Sequence, residues 1–278
     1  MSLKGAIGAA AAGHRLRRIG RVVLVGSGKG GVGKSTVACS LALTLAETNL
    51  RTGLLDLDIH GASVPGYLGI GPPVVSGREG LKPKMRRRLK VMSVGFFTGD
   101  NPVPMRGGDK AEMISQLFGL TDWGDLDYLV VDLPPSMGDE LLASIGLFGE
   151  KSILLLVTTP SPASVEVVSR MGRLARDEGV PILGTVVNMA YVKSGRTELF
   201  PFGRPSRGRL RRGIGTDLAW AVPLEPALSL RRVDEVLGTG TDFARVFYRI
   251  AASVEESGRH ASRTRKGDSR PVRERGPS

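Results

Sequence analysis

The sequence predicts an α/β fold, a mostly parallel sheet of about seven strands with helices on both faces. Three observations carry this. Short apolar, β-branched runs alternate with helix-length amphipathic stretches, the order that builds parallel sheets with crossover helices. A glycine-studded bend, Gly28-Lys29-Gly30-Gly31-Val32-Gly33-Lys34-Ser35, lies between the first such run and the first such stretch. Two later apolar runs close on carboxylates, at Asp56 and Asp58 and at Asp132.

Taken in order, residues 1–20 read as a poorly ordered basic arm with room for a short helix. "VVLVGS" (22–27) is a buried strand, and "KSTVACSLALTLAE" (34–47) a helix with its apolar residues on a broad stripe. "TGLLDLD" (52–58) is the second strand, and "LKVMSVGF" (89–96) the third, after a Gly/Pro-rich loop from Gly69 to Pro83. "DKAEMISQLF" (109–118) is helical, with Asp109 as its N-cap. "DYLVVDLPP" (127–135) is a strand stopped by two prolines. A helix at 139–148, a strand at 152–160, a helix at 162–179 and a strand at 181–189 follow. "DLAWAVPLEP" (217–226) contains a last short strand, and "DFARVFYRIAASVEES" (242–257) closes the body as an amphipathic helix. Residues 21–258 thus form one domain, and 259–278 a basic, polar tail expected to be disordered.

The chain has 278 residues, 41% of them hydrophobic, enough for a large core. No run approaches the roughly 20 apolar residues that span a bilayer. The alanine-rich start precedes its basic residues, the reverse of a secretion signal. The expected location is therefore cytoplasmic. A single cysteine, Cys39, excludes a disulfide within the chain, and three scattered histidines leave no zinc constellation. The net charge is +12, with +5 in residues 1–21 and +5 in 259–278. The rest concentrates in "KPKMRRRLK" (82–90) and "RPSRGRLRR" (204–212), so basicity lies in tails and two segments.

Gly28 to Ser35 fits G-x-x-x-x-G-K-[ST] between a strand and a helix, the context of a P-loop. Glycines let the backbone curl so that successive N–H groups point at phosphate oxygens, and the following helix adds its positive end. Gly28, Lys29, Gly30, Gly31, Val32 and Gly33 are then the cradle of ATP or ADP. Lys34 neutralises the β- and γ-phosphates, Ser35 ligates Mg²⁺, and Thr36 reaches the α-phosphate. The same letters hold Gly26-x-Gly28-x-x-Gly31, a dinucleotide fingerprint, but Lys34 and Ser35 have no task in such a site. Lys29, at the second motif position, points away from its own loop. It is either a solvated charge or a cation for the nucleotide of a second subunit, acting in trans as an arginine finger does.

Asp132 closes an apolar strand in the manner of a Walker B carboxylate, holding Mg²⁺ through water. Alternation puts Asp56 and Asp58 on one face; Asp56 is assigned to metal support and Asp58 to orienting the attacking water. The "PPSMGDE" turn (134–140) reads as a segment that orders with ATP. Catalytic roles fall on Lys29, Lys34 and Asp58. Hydrolysis of ATP by water to ADP and phosphate is expected to be slow, because one carboxylate positions water weakly.

"SGKGGVGKST", "LLDLDIHGASVPGYLG", "VMSVGF", "DYLVVDLPPSMGDE", "VTTPSPASV" and "GTVVNM" occur in this order. The series resembles the Mrp/ApbC family of deviant-Walker-A P-loop ATPases, relatives of MinD and ParA, over about residues 20–255. The resemblance implies a homodimer that sandwiches ATP, with Lys29 as signature lysine. It also implies adenine contacts from Asn188 and from backbone at Pro223, Leu224 and Glu225. Such proteins serve iron–sulfur cluster assembly or transfer to client or scaffold proteins, and hold a bridging 4Fe-4S cluster through Cys-x-x-Cys after the "NM" strand. Here "AYVKSGRTELFPFG" follows instead, without a cysteine, so this chain alone lacks the thiolates for a cluster. Ser136-Met137 also stand where the family has Gly-Thr. The alternative is a MinD/ParA-like ATP-driven dimer switch that positions a DNA, membrane or protein partner, touching it through 82–90 and 204–212.

Overall fold

The computed structural model describes residues 3–58, 61–98, 107–135, 138–195 and 197–267. Helix α1 (Leu3–Arg17) leads into β1 (Ile19–Gly26), and α2 (Lys34–Glu47) carries the chain to β2 (Thr52–Asp56). Helix α3 (Val64–Leu68) and a small hairpin, β3 (Ser76–Gly77) and β4 (Gly80–Leu81), precede β5 (Lys84–Arg86) and β6 (Leu89–Ser93). Then come α4 (Gly95–Thr98), α5 (Gly107–Leu120), β7 (Leu126–Asp132), α6 (Asp139–Phe148), β8 (Ser152–Thr158), α7 (Pro162–Asp177) and β9 (Ile182–Val187). A second hairpin, β10 (Val192–Ser194) and β11 (Thr197–Leu199), is followed by α8 (Arg207–Ile214), β12 (Ala219–Ala221), α9 (Val233–Leu237) and α10 (Asp242–Gly267).

Eight strands form the main sheet, in the order β12-β9-β8-β1-β7-β2-β6-β5. All neighbours run parallel except the β5–β6 edge pair. The eighth strand is β5, whose basic residues carry no apolar signal. Val22 to Val25 of β1 are wholly buried, as a central parallel strand covered on both faces must be. Strand β1 also marks the reversal of strand order: the chain goes to β2 on one side and, from β7, to β8 on the other. Ligands of such sheets sit beyond the strand ends at this point.

Several expectations change. Helix α2 is buried from Lys34 to Ala46, not along a stripe only, because α3, α9 and α10 cover the side away from the sheet. Residues 1–20 carry α1, which packs on α5. Small residues allow this: a Cβ at Gly119 would meet the Ala12 nitrogen at 2.8 Å. Lys151 Nζ then caps the end of α1 by donating to the Leu16 carbonyl (2.8 Å), and ties it to the start of β1 by donating to the Ile19 carbonyl (2.6 Å). Asp109 lies inside α5, which begins at Gly107, and is not its cap. The third strand ends at Ser93, and the chain turns into α4 from Gly95. Helix α10 continues to Gly267, past the boundary at 258. Ser136 and Met137 of the expected switch turn, His60, and residues 268–278 of the expected tail lie outside the described residues.

The basic segment 82–90 is built into the fold. Arg86 Nη2 donates to both oxygens of the buried Asp234 at 2.9 and 2.7 Å, and Arg87 Nε to one of them at 3.2 Å. Arg87 also meets Glu47 at 2.7 Å, and Lys90 donates to the Trp123 carbonyl at 2.7 Å. These contacts fasten the β5–β6 edge to α9, to the end of α2 and to the segment before β7. Asp234→Ala strands two guanidinium groups beside a desolvated site and is expected to cost about 3 kcal/mol in urea unfolding. A loss within about 0.5 kcal/mol, typical of a surface charge, would mean the arginines are merely solvated.

Candidate functional site

Past Gly26 the chain bends away from β1 until Gly33, the residue before α2, in the left-handed region at φ 79. A Cβ there would sit 2.2 Å from Asn188 Nδ2, so both the dihedral and the close approach demand glycine. Asn188 donates through Nδ2 to the Val32 carbonyl at 2.9 Å, which ties the end of β9 to the bend. Gly28 is pressed on α7, where a Cβ would meet Val167 Cγ1 at 2.5 Å. Around Gly30 and Gly31 an added Cβ would meet nothing within 4 Å, so backbone there is open to a ligand. Ser27 Oγ donates to the Lys29 carbonyl at 3.1 Å, and the Lys29 side chain is exposed.

Parallel pairing of β2 with β7 puts Asp56 directly opposite Asp132. Lys34, in the first turn of α2, reaches Asp132 and Asp58: its Nζ donates to Asp132 Oδ1 at 2.6 Å and lies 3.9 Å from Asp58 Oδ2. Asp132 Oδ2 is buried with no hydrogen-bond partner. Asp56 is engaged on both oxygens, accepting from Ser93 Oγ at 2.7 Å and from the Asp58 amide at 3.1 Å. Asp58 lies past the end of β2 and accepts from the Gly61 amide at 3.1 Å. Burial and the Asp132 charge push the Asp56 carboxyl up to about 7. Burial raises Asp132 as well, against the pull of Lys34 and the Ser35 hydroxyl.

Two cavities adjoin this centre. One of about 170 Å³ is bounded by Lys29, Gly31, Lys34, Ser35 and Asp58, with Pro135 opposite. The other, about 300 Å³, gathers Thr36, Asn188, Pro223, Leu224 and Glu225. Tyr67 of α3 lines both, so they lie side by side. Asp56 and Asp132 stand behind the first cavity rather than in its wall, each with no exposed surface. The sequence reading missed Tyr67, Met189, Leu228 and Phe243. Tyr67 sits in "SVPGYLG", a stretch whose single aromatic follows the second strand without a spacing rule to mark it. Cys39 is buried in α2, and desolvation lifts its thiol well above the ordinary range.

Residues 18–252 match the family model described as ParA, NUBPL iron-transfer P-loop NTPase. An iron–sulfur cluster carrier protein of Saccharolobus solfataricus is 36% identical over 77% of this chain and 75% of its own length. The Bacillus subtilis protein of the same name is 39% identical over 72% of this chain. The matched region spans 58% of that relative and 56% of the Mycobacterium leprae one, little more than half their length. Among solved structures, the nucleotide-binding protein of Archaeoglobus fulgidus in complex with ADP superimposes with a TM-score of 0.71. It is 32% identical, over 86% of this chain and 96% of that one. The Pyrococcus furiosus cell division ATPase MinD has the same fold, at a TM-score of 0.61 and 19% identity over 85% of this chain and 99% of that one. Among the described residues no helix is long and apolar enough to cross a membrane.

The Asp56–Asp132 pair sets a pH dependence. A carboxyl raised in the folded state stabilises the fold while protonated; the contribution is complete below about pH 4 and fades as pH climbs through about 7. The nucleotide-free chain is expected to melt at lower temperature at pH 8 than at pH 5. Asp56→Asn, which keeps the shape and lets Ser93 turn its hydroxyl to accept, flattens that slope. An unaltered slope in the variant would place the titration elsewhere.

Proposed function

We propose a function from this premise: the chain belongs to the NUBPL iron-transfer P-loop NTPases of the ParA group. It binds ATP, hydrolyses it slowly with Mg²⁺, and uses the cycle in iron–sulfur cluster transfer. The observation that carries the reading is the convergence of Lys34, Ser35 and Asp58 on one small cavity backed by Asp132. The triphosphate occupies that cavity, and the base the larger one beside Thr36. Since Asn188 spends its Nδ2 on Val32, its Oδ1 remains to accept from the amino group of adenine. Pro223 to Glu225 supply backbone at the same wall.

The residues fit a magnesium ion. Ser35 offers a hydroxyl in the cavity wall, and the unpartnered Asp132 Oδ2 suits a metal-bound water. Bound there, the ion neutralises charge on the β- and γ-phosphates. Asp56, which accepts from Ser93 Oγ and the Asp58 amide, supports the metal's surroundings from behind by steadying Asp58. Asp58, the carboxylate in the cavity wall, orients the attacking water as a weak base. Lys34 leaves Asp132 for the phosphates, while Lys29, exposed on the rim, serves the nucleotide of a second copy in trans. Residues 21–258 form the catalytic unit.

The cluster is cargo in this scheme. The one thiol of the chain is buried in α2, so a partner supplies the thiolates that hold the cluster. After anaerobic incubation with iron and sulfide, the purified chain is expected to retain no iron and no absorbance near 400 nm; a stable brown holoprotein would overturn the partner's role. Lys34→Ala should abolish nucleotide binding in a fluorescent-ATP titration, and full retention would refute the phosphate assignment. Lys29→Ala should bind ATP normally yet lose ATP-dependent dimer formation in sedimentation, with turnover down at least tenfold. An unchanged dimer and rate would refute action in trans.

A further inference from the structure

The two basic segments of the sequence differ in kind. Residues 82–90 spend Arg86, Arg87 and Lys90 on internal acceptors. Residues 204–212 end in α8, which buries Leu210 and Ile214 and turns Arg207, Arg209, Arg211 and Arg212 to the surface. Helix α8 is held hard against α7: a Cβ at Gly213 would lie 2.1 Å from Ser169 Oγ, and Arg176 donates to the Ile214 carbonyl. Between the helices runs an open groove of about 450 Å³, lined by Glu166, Ser169 and Arg173 from one stripe of α7 and by Arg209, Arg212 and Gly213 of α8.

Its charge is uncompensated. Glu166 is taken by Arg170 at 2.5 Å, and Arg211 is answered by Asp217 at 3.1 Å. Arg173, Arg207, Arg209 and Arg212 meet no carboxylate within salt-bridge distance among the described residues. Like charges gathered on a rigid support are unfavourable unless an anion joins them. Guanidinium forks suit phosphate oxygens, which accept two parallel hydrogen bonds. The apolar part of the groove is Pro162 and the buried Val165, with no aromatic side chain of the kind that concentrates affinity for a protein partner. It is also separate from the nucleotide site, since Val167, which touches the Gly28 bend, lies on another side of α7.

We propose that the α7–α8 groove binds the sugar–phosphate backbone of nucleic acid through Arg173, Arg209 and Arg212, without reading the bases. This stands apart from the ATP reading. The full chain is titrated into a labelled DNA duplex of arbitrary sequence by fluorescence anisotropy, at about 50 to 200 mM salt. Wild type is expected to bind with a steep salt dependence. The triple variant Arg173→Ala, Arg209→Ala, Arg212→Ala should bind at least tenfold more weakly at the low-salt end. Its log–log salt slope should be shallower by about 2 to 3, roughly 0.9 for each lost phosphate contact. Arg209→Glu alone should weaken binding in the same direction, and an unchanged circular dichroism spectrum and melting temperature verify that both variants are folded. A second duplex of unrelated sequence should bind equally. The proposal is overturned if wild type does not bind, or if the triple variant keeps its affinity and slope while Arg263→Ala, Arg265→Ala, Arg273→Ala loses them. Binding of a polyglutamate of equal charge as tightly as the duplex would instead assign the groove to an acidic protein.

Discussion

The buried contact between Lys34 and Asp132 organises this molecule. It joins the start of α2 to the end of β7 at 2.6 Å, with side-chain exposures of 5% and 0%. Strand pairing forces Asp56 to the same level as Asp132, and Asp58 comes within 3.9 Å of the same ammonium group. One lysine therefore stands among three acids, away from bulk water, where each unit of unbalanced charge is costly. The rise of the Asp56 carboxyl to about 7 is the relief available without a ligand. In the proposed cycle the phosphates draw Lys34 off Asp132, and a divalent cation becomes necessary to replace it. Nucleotide and metal then bind as a coupled pair.

The rest of the structure keeps that centre in place. Helix α2 is enclosed on all sides, so its first turn cannot drift. The left-handed Gly33, the Asn188 tether to Val32 and the contact of Gly28 with Val167 each pin the bend from a different element. Together they hold bare backbone open at Gly30 and Gly31. Stability here comes from apolar burial in α2 and the sheet, while the polar centre supplies the geometry.

Much of this was legible in the residues. The bend has a rigid spacing rule, since phosphate contact needs glycines, a lysine and a hydroxyl at fixed separations, and it lies between the strand and helix expected. Asp132 was visible because an apolar strand that stops on an acid is rare without a purpose. The adenine-side residues Asn188 and Pro223 to Glu225 came by family likeness, and they line one cavity, though their ligand contacts belong to the proposed function. Tyr67 escaped because a lone aromatic on a short helix has no periodicity. The opening helix escaped because alanine and glycine signal neither core nor surface; its partner α5 decides its fate. Strand β5 escaped because its residues are mostly basic, and the pairing of Arg86 with Asp234 joins residues 148 positions apart, beyond any local pattern.

The central claim is that Lys34 trades Asp132 for phosphate, leaving that carboxylate to a metal. Calorimetric titration of ATP into wild type and Asp132→Asn, each with and without Mg²⁺, tests it directly. The account predicts that, without metal, ATP binds the variant more tightly than wild type, because Lys34 is no longer held back. It also predicts that adding Mg²⁺ strengthens binding to wild type far more than to the variant. Equal metal-free affinities together with an undiminished Mg²⁺ effect in Asp132→Asn would contradict it.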